Sequence, residues 1–294
     1  MCIRDSFKTI KPYPAVPVDI DLLVMGDDDM YKKTVEILLR AGYPPQTPGI
    51  INPAGLTDDE AYGRAVDRLT TPTYGKMHVS PTGTDFLDPE YNIDIDLQKD
   101  LALSYIVYLD KAIFNGNIIK TNLKDQRVST LAPEFDLLSV MAHSVMEQLF
   151  LLGEFYSFLY RLADMDKPKI EKFVNLAEEN RLKLALRAFT CIAAQLHETA
   201  FNTTPPEIQL ILAKVGYNTR ETKSLTANNL HAPHRYRLKT LAEVFFEKIR
   251  ERKFRRGVLT QMRKTLKPRL IRLVIRELVD RSRRETYLEG FQNS

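Results

Sequence analysis

Asp19 and Asp21 stand two apart inside the apolar, β-branched run V-P-V-D-I-D-L-L-V, residues Val16 to Val24. On a strand, side chains at i and i+2 leave the same face, so the two carboxylates project together. Like charges side by side on a sheet repel, and a hard divalent cation held by carboxylate oxygens relieves that repulsion. A half-exposed edge strand, acids to solvent and Ile20 and Leu22 to the core, fits the same alternation. A second copy favours the metal site: N-I-D-I-D-L ends at Leu97, and Asp94 and Asp96 again share one face.

The elements that must position these acids follow from local punctuation. Gly26 closes the first strand, and Asp27, Asp28 and Asp29 supply the N-cap and first-turn acids of a helix from about Met30 to Arg40. Val35, Leu38 and Leu39 are expected to face inward, with Gly42 ending the helix. Residues 44–72 are rich in proline and glycine and read mostly as a loop, with one helix expected over Asp58 to Leu69. Strands are expected over Phe7 to Ile10, Thr73 to Val79, Asn92 to Leu97 and Leu103 to Leu109, the last ending at an Asp110–Lys111 ion pair from which Lys111 can reach a phosphate. The first six residues, M-C-I-R-D-S, carry no periodicity and read as an adaptor-derived start, so the natural N-terminus is expected to be missing.

Beyond Pro133 the pattern turns helical. Leu138, Met141, Val145, Leu149, Leu152, Tyr156 and Leu159 follow three-and-four spacing, which predicts one long helix. Further helices are expected at about 168–181, 183–201, 205–215, 237–256, 258–267 and 269–285, with Pro268 breaking the last pair. The fold class is therefore α+β: a small mixed β-sheet domain over residues 1–128, then an all-α helical domain over 129–294.

Composition narrows the function classes. With 294 residues and 44% hydrophobic content the chain can bury a real core. Cys2 and Cys191 are too few for a disulfide framework or a thiolate metal site, which fits a cytoplasmic location. The most apolar stretch, Leu137 to Leu162, contains His143, Glu147, Gln148, Glu154 and Arg161 and so reads as a buried helix rather than a membrane span. His143 reads as a helix-packing residue, and His78, His197, His231 and His234 lack metal-ligand spacing. The net charge of +4 hides an asymmetry: from Arg235 to Arg284 there are 18 Lys or Arg against 5 Asp or Glu, while the rest of the chain is acidic.

The paired-aspartate strand V-D-I-D-L-L-V, the second acidic strand I-D-I-D-L and the helix start A-P-E-F-D-L-L together resemble the nucleotidyltransferase superfamily to which DNA polymerase β belongs, in its branch of microbial single-chain members. The resemblance covers roughly Phe7 to Leu162. It implies that Asp19 and Asp21 hold two Mg²⁺ ions and that Asp96 completes the catalytic site, with Asp94 the rival for the third place. It also implies in-line transfer of a nucleoside monophosphate from an NTP such as ATP to a hydroxyl acceptor, which is RNA (tRNA included), a protein or a small molecule. Where the family carries a Gly-Ser or Lys-Gly element to hold the triphosphate, this chain reads S-F-K-T-I-K. Lys8 and Lys11 would bind phosphates there as point charges, and Ser6 and Thr9 would offer hydroxyls.

The basic C-terminal segment supports a second reading. At about 100° per residue, Arg269, Arg272, Arg276 and Arg283 fall within roughly 60° on one helix face. Such a stripe is either a solvated face or a surface for a nucleic-acid backbone, where neutralised phosphates release counterions. The alternative function is thus a catalytically degenerate nucleic-acid-binding or scaffold protein whose acidic strands are a relic.

Overall fold

The computed structural model of the chain describes residues 19–41, 73–75, 94–103, 105–123, 126–217 and 234–265, and for Asp19, Asp94 and Asp96 it describes the backbone alone. The alternating acidic run becomes β1 (Asp19–Leu23). It turns at Gly26 into α1 (Asp28–Arg40), where Asp27 accepts a 3.0 Å hydrogen bond from the Met30 amide and Asp28 and Asp29 face the positive helix end. Gly26 is required here: a Cβ would lie 2.5 Å from Cβ of Met30, so any side chain collides with the first turn of the helix.

The second acidic run becomes β3 (Asp94–Gln98), which pairs in parallel with β1. A parallel pair needs a crossover, and α1 lies within it. β2 (Thr73–Gly75) adds to the other side of β3 antiparallel, giving the order β1-β3-β2. One face of this sheet is apolar: Val24, Leu38, Ile95 and Leu97 form a small core with Leu22, Tyr31 and Val35 around it. Each fully buried aliphatic side chain of this kind contributes roughly 1.5–3 kcal/mol. Leu38 faces inward as expected, whereas Leu39 is exposed, because a helix lying on a three-stranded sheet covers it with a single narrow stripe.

Leu103 to Leu109, expected as one strand, is instead a hairpin. β4 (Leu101–Leu103) and β5 (Ile106–Leu109) pair antiparallel with Leu103 opposite Ile106, so the chain reverses between them. A 3-10 turn over Lys111–Phe114 follows, then the ribbon of β6 (Ile118–Leu123) and β7 (Gln126–Leu131). The expected division at 128/129 falls inside β7.

α2 (Pro133–Met146) is the axis of the main core, with Phe135, Leu137, Leu138, Met141, Ala142 and Val145 all buried. Proline at its first position costs no hydrogen bond. The single long helix expected here is two helices, α2 and α3 (Leu152–Ala163). Gln148 adopts a left-handed φ of 64°, and the Ser144 hydroxyl donates at 2.6 Å to the carbonyl of Leu149. The chain then runs as β8 (Leu149–Phe150), paired with the distant β9 (His234–Arg235). Periodicity survives the break because both helices bury their stripe in one core, which is why the sequence pattern reads straight through it.

α4 (Lys167–Glu179), α5 (Lys183–Phe201) and α6 (Pro206–Val215) follow close to their expected bounds. Phe189 of α5 packs between Phe150, at a tilt, and Phe158, edge-on, with ring centroids 4.7 and 5.0 Å away. The helix expected over 237–256 ends early: α7 (Leu238–Lys248) gives way to α8 (Arg252–Thr265). The fully buried Lys248 ammonium donates at 2.7 Å to the Asn180 carbonyl and bonds the Glu251 carboxylate, which pins the corner. α8 lies directly on the β4–β5 hairpin. A Cβ on Gly257 would sit 2.2 Å from the carbonyl oxygen of Tyr105, so only glycine allows that approach. The expected elements at 7–10, 58–69 and 269–285, with Pro268 and Cys2, lie outside the described residues.

Candidate active site

The parallel register places Asp19 beside Asp94 and Asp21 beside Asp96, so four acidic positions share one face of two adjacent strands. Thr73 of β2 stands opposite Asp96 and Gly75 opposite Asp94, which sets the small third strand at the edge of that face. Asp21 is 8% exposed. Its Oδ1 accepts a 2.7 Å hydrogen bond from Nε2 of Gln98, two positions beyond Asp96 on the same face of β3. Gln98 is itself buried, and its Oε1 has no hydrogen-bond partner.

The acid face continues directly into the main core. Leu23, opposite Gln98, is fully buried with Leu101 and Tyr108. Tyr108 is 1% exposed, and burial holds its phenol well above the ordinary tyrosine range, assisted by the nearby negative charges of Asp21 and Glu147. Its hydroxyl lies 3.2 Å from Nδ1 of His143, whose Nε2 is 2.9 Å from the Glu147 carboxylate. With Glu147 accepting from Nε2–H, a neutral His143 presents Nδ1 as acceptor, so Tyr108 donates. His143 is therefore a packing and hydrogen-bonding residue on α2, as its position predicts, while the part played by Tyr108 has no local sequence signal.

Beyond the strand ends, the turn into α1 is fixed by Lys111, whose ammonium donates at 3.0 Å to the Val24 carbonyl and at 2.6 Å to the Gly26 carbonyl. The expected Asp110–Lys111 ion pair is absent from this arrangement. Asp110 caps the 3-10 turn through Ala112 and pairs at 2.5 Å with Lys253 of α8. Lys99, just past β3, pairs with Asp28 at the start of α1 and lowers the pKa of that carboxyl by hydrogen bonding and charge. A cavity of about 410 Å³ lies beside Met25, Gly26, Met30, Leu97, Asn115 and Gly116, on the apolar side of the sheet.

A family model described as an uncharacterised nucleotidyltransferase matches residues 17–198, from just before the acidic strand into the last turn of α5. The chain belongs to that family. The uncharacterised nucleotidyltransferase family thus accounts for both acidic strands and for the α2 core on which they rest, and membership carries a general role in nucleotidyl transfer. No curated protein and no solved structure matches the chain. Among the described residues no helix is long and apolar enough to cross a membrane.

Within this family framework, the donor set fits a hard divalent cation. Acidic positions on two strands share one face, and the Gln98 side chain whose nitrogen bonds Asp21 keeps a buried amide oxygen without a partner. No group of three His, Cys, Asp or Glu side chains suited to a metal occurs among the described residues, a set that excludes the side chains of Asp19, Asp94 and Asp96. Ser6, Lys8, Thr9 and Lys11, and Arg269, Arg272, Arg276 and Arg283, also lie outside the described residues. Gln98 is the site residue that sequence reasoning passed over. Its signal was its place two residues after Asp96, where the alternation sets it on the acid face.

Proposed function

We propose that this member of the family is a Mg²⁺-dependent nucleotidyltransferase that moves a nucleoside monophosphate from an NTP to a hydroxyl acceptor. The observation that carries the reading is the in-register pairing of Asp19 with Asp94 and Asp21 with Asp96 on a face otherwise continuous with the core. Acids in such a place cost stability, and a site that binds cations and phosphates gives them a use.

In this reading Asp19, Asp21 and Asp96 hold two Mg²⁺ ions, with Asp94 the alternative for the third acid. Bound there, the metal pair would lower the pKa of the attacking hydroxyl and neutralise the departing pyrophosphate. The chain's own residues do the rest. The amide of Gln98 holds the Asp21 carboxylate in one orientation. Leu23 and Tyr108 close the inner end of the face against water. Lys111 and Gly26 fix where β1 ends, and thus how far the two acids of that strand stand from α1. Lys8 and Lys11, with the hydroxyls of Ser6 and Thr9, are assigned to the triphosphate. An RNA such as tRNA is a natural acceptor for the basic C-terminal region: Arg252, Arg255 and Arg256 of α8 are exposed, and Arg269, Arg272, Arg276 and Arg283 follow in the sequence. That exposed basic face also favours, as second reading, a degenerate nucleic-acid-binding protein.

One experiment separates the two. The wild type and Asp21→Asn are incubated with each α-labelled NTP, Mg²⁺ or Mn²⁺, and mixed cellular RNA and protein. The transferase reading expects label in one acceptor class and a drop of more than about a hundredfold in the variant. Equal, background label in both, together with salt-sensitive RNA binding that survives Asp21→Asn, would establish the binding protein instead.

A further inference from the structure

Gln98 stands where the sheet calls for a different residue. Its partner across the strands is Leu23, fully buried in the main core, and its own side chain is 7% exposed. An apolar residue would fill that place without cost, because a buried amide must find partners for both of its ends. Only one end has found one. Nε2 donates to Asp21 Oδ1 at 2.7 Å. This orientation of the amide is chemically determined, since the flipped amide would set two acceptor oxygens against each other at that distance. Oε1 consequently points elsewhere, buried and without a partner.

We infer that Gln98 is a metal-site residue, its amide nitrogen locking Asp21 and its amide oxygen serving as a neutral ligand for a divalent cation on the acid face. The inference rests on the proposed metal-dependent reading of that face. The strand parity carries it: positions 94, 96 and 98 of β3 and 19 and 21 of β1 share one side, so the Gln98 side chain, with its unpartnered oxygen, leaves the sheet on the face that bears the acids. The chemistry agrees, because hard cations take amide carbonyl oxygens alongside carboxylates. A neutral oxygen adds a ligand without adding another negative charge to a face that already holds four acidic positions. A hydrogen-bond donor from a ligand is the other group that could satisfy Oε1, and the variants below separate the two.

The test is Mn²⁺ binding to the full chain without nucleotide, followed by the electron paramagnetic resonance of free Mn²⁺, for wild type, Gln98→Met and Gln98→Glu. Methionine keeps the volume and removes both amide functions, and glutamate restores an oxygen while losing the N–H. The expected result is Mn²⁺ affinity about tenfold or more weaker in Gln98→Met, recovered to within about threefold of wild type in Gln98→Glu. Thermal melting without metal should place all three within a few degrees, so that loss of binding is not loss of fold. Equal affinity in wild type and Gln98→Met, or no Mn²⁺ binding by wild type, overturns the inference. If wild type and variants bind as expected and no NTP label is transferred, Gln98 keeps its role and the transferase reading falls. If label is transferred and Gln98→Met binds Mn²⁺ normally, the reverse holds.

Discussion

Among the described residues, two regions bury carboxylates, and they surround them differently. At the start of α2, Glu134 and Asp136 are each about 5–6% exposed and each meets a full positive charge: Lys172 at 2.7 Å from Glu134, Arg161 at 2.8 Å from Asp136. Both also sit in the first turn of a helix, where the backbone amides favour negative charge. On β1, Asp21 is 8% exposed and is held by the neutral amide of Gln98, on a face where the neighbouring positions are acidic as well. The first arrangement neutralises its charges within the fold and so serves stability. The second sets acidic positions side by side on one face of two strands, an arrangement that a bound cation would complete in the proposed function.

The largest effect is expected at Arg161. Replacing it by methionine removes the guanidinium from a buried carboxylate and should destabilise the protein by about 3 kcal/mol, read as a shift of the urea unfolding midpoint. Replacing Arg161 and Asp136 together by apolar residues should recover most of that loss, because a buried pair roughly breaks even against good packing. Asp21→Asn should behave in the opposite sense. It keeps the acceptor oxygen for Gln98 and relieves repulsion on the acid face, so stability should change by less than about 1 kcal/mol while transfer collapses. A loss at Asp21→Asn as large as that at Arg161→Met would erase the distinction between the two regions.

A smaller effect is expected at Lys172. Its side chain is 47% exposed and also lies over the Phe135 ring, 4.7 Å from the centroid. Water screens the ammonium, and the helix N-terminus continues to favour the Glu134 charge, so Lys172→Met should cost only about 1 kcal/mol by the same unfolding measurement. An equal cost at Lys172 and Arg161 would mean that exposure of the cation does not matter here.

How much of this was readable in advance depends on how local each cause is. The acidic strands, the Asp27 cap and α5 at 183–201 follow from residues within one turn or one strand, and the structure agrees with them. The pairing of Asp19 with Asp94 needs a parallel crossover of more than seventy residues, and sequence alternation shows only that each strand has an acid face. The break at Gln148 depends on Ser144, the β8–β9 pairing and Tyr236, whose amide reaches the Gln148 carbonyl at 3.2 Å from almost ninety residues away. Likewise the split of α7 from α8 depends on Asn180, which receives the Lys248 ammonium. Leu39 is exposed against expectation because four apolar residues in the row of five from Val35 to Leu39 give no sign of which one a narrow sheet leaves uncovered. Gln98 was missed because a glutamine at the end of a strand reads as an exit from the core, and only the fold shows that Leu23 beside it is fully buried.

Tyr108 lies between the acid face and the C-terminal end of α2 and gives the finest test of how far that face reaches into the core. Its phenol is fully buried between the acid face and His143 of α2, and burial, more than the charges of Asp21 and Glu147, holds its pKa well above the ordinary value of 10.0. The unfolded chain therefore loses this proton near pH 10 while the folded chain keeps it. Above pH 10 the unfolded state binds fewer protons than the native state, so the contribution of Tyr108 to stability is fully present below pH 10 and is lost progressively as pH rises towards the folded pKa. At neutral pH, Tyr108→Phe should cost about 1 kcal/mol, the loss of the hydrogen bond to His143. Above pH 10 the difference between wild type and Tyr108→Phe should shrink, because only wild type still carries the penalty. Asp21→Asn should reduce that convergence slightly and leave most of it, since the charge of Asp21 is the lesser cause. Urea midpoints for wild type, Tyr108→Phe, Asp21→Asn and the double variant at pH 7 and above pH 10 measure it. If the convergence vanished in Asp21→Asn, charge rather than burial would dominate at Tyr108, and the acid face would reach further into the core than its neutral amide contact indicates.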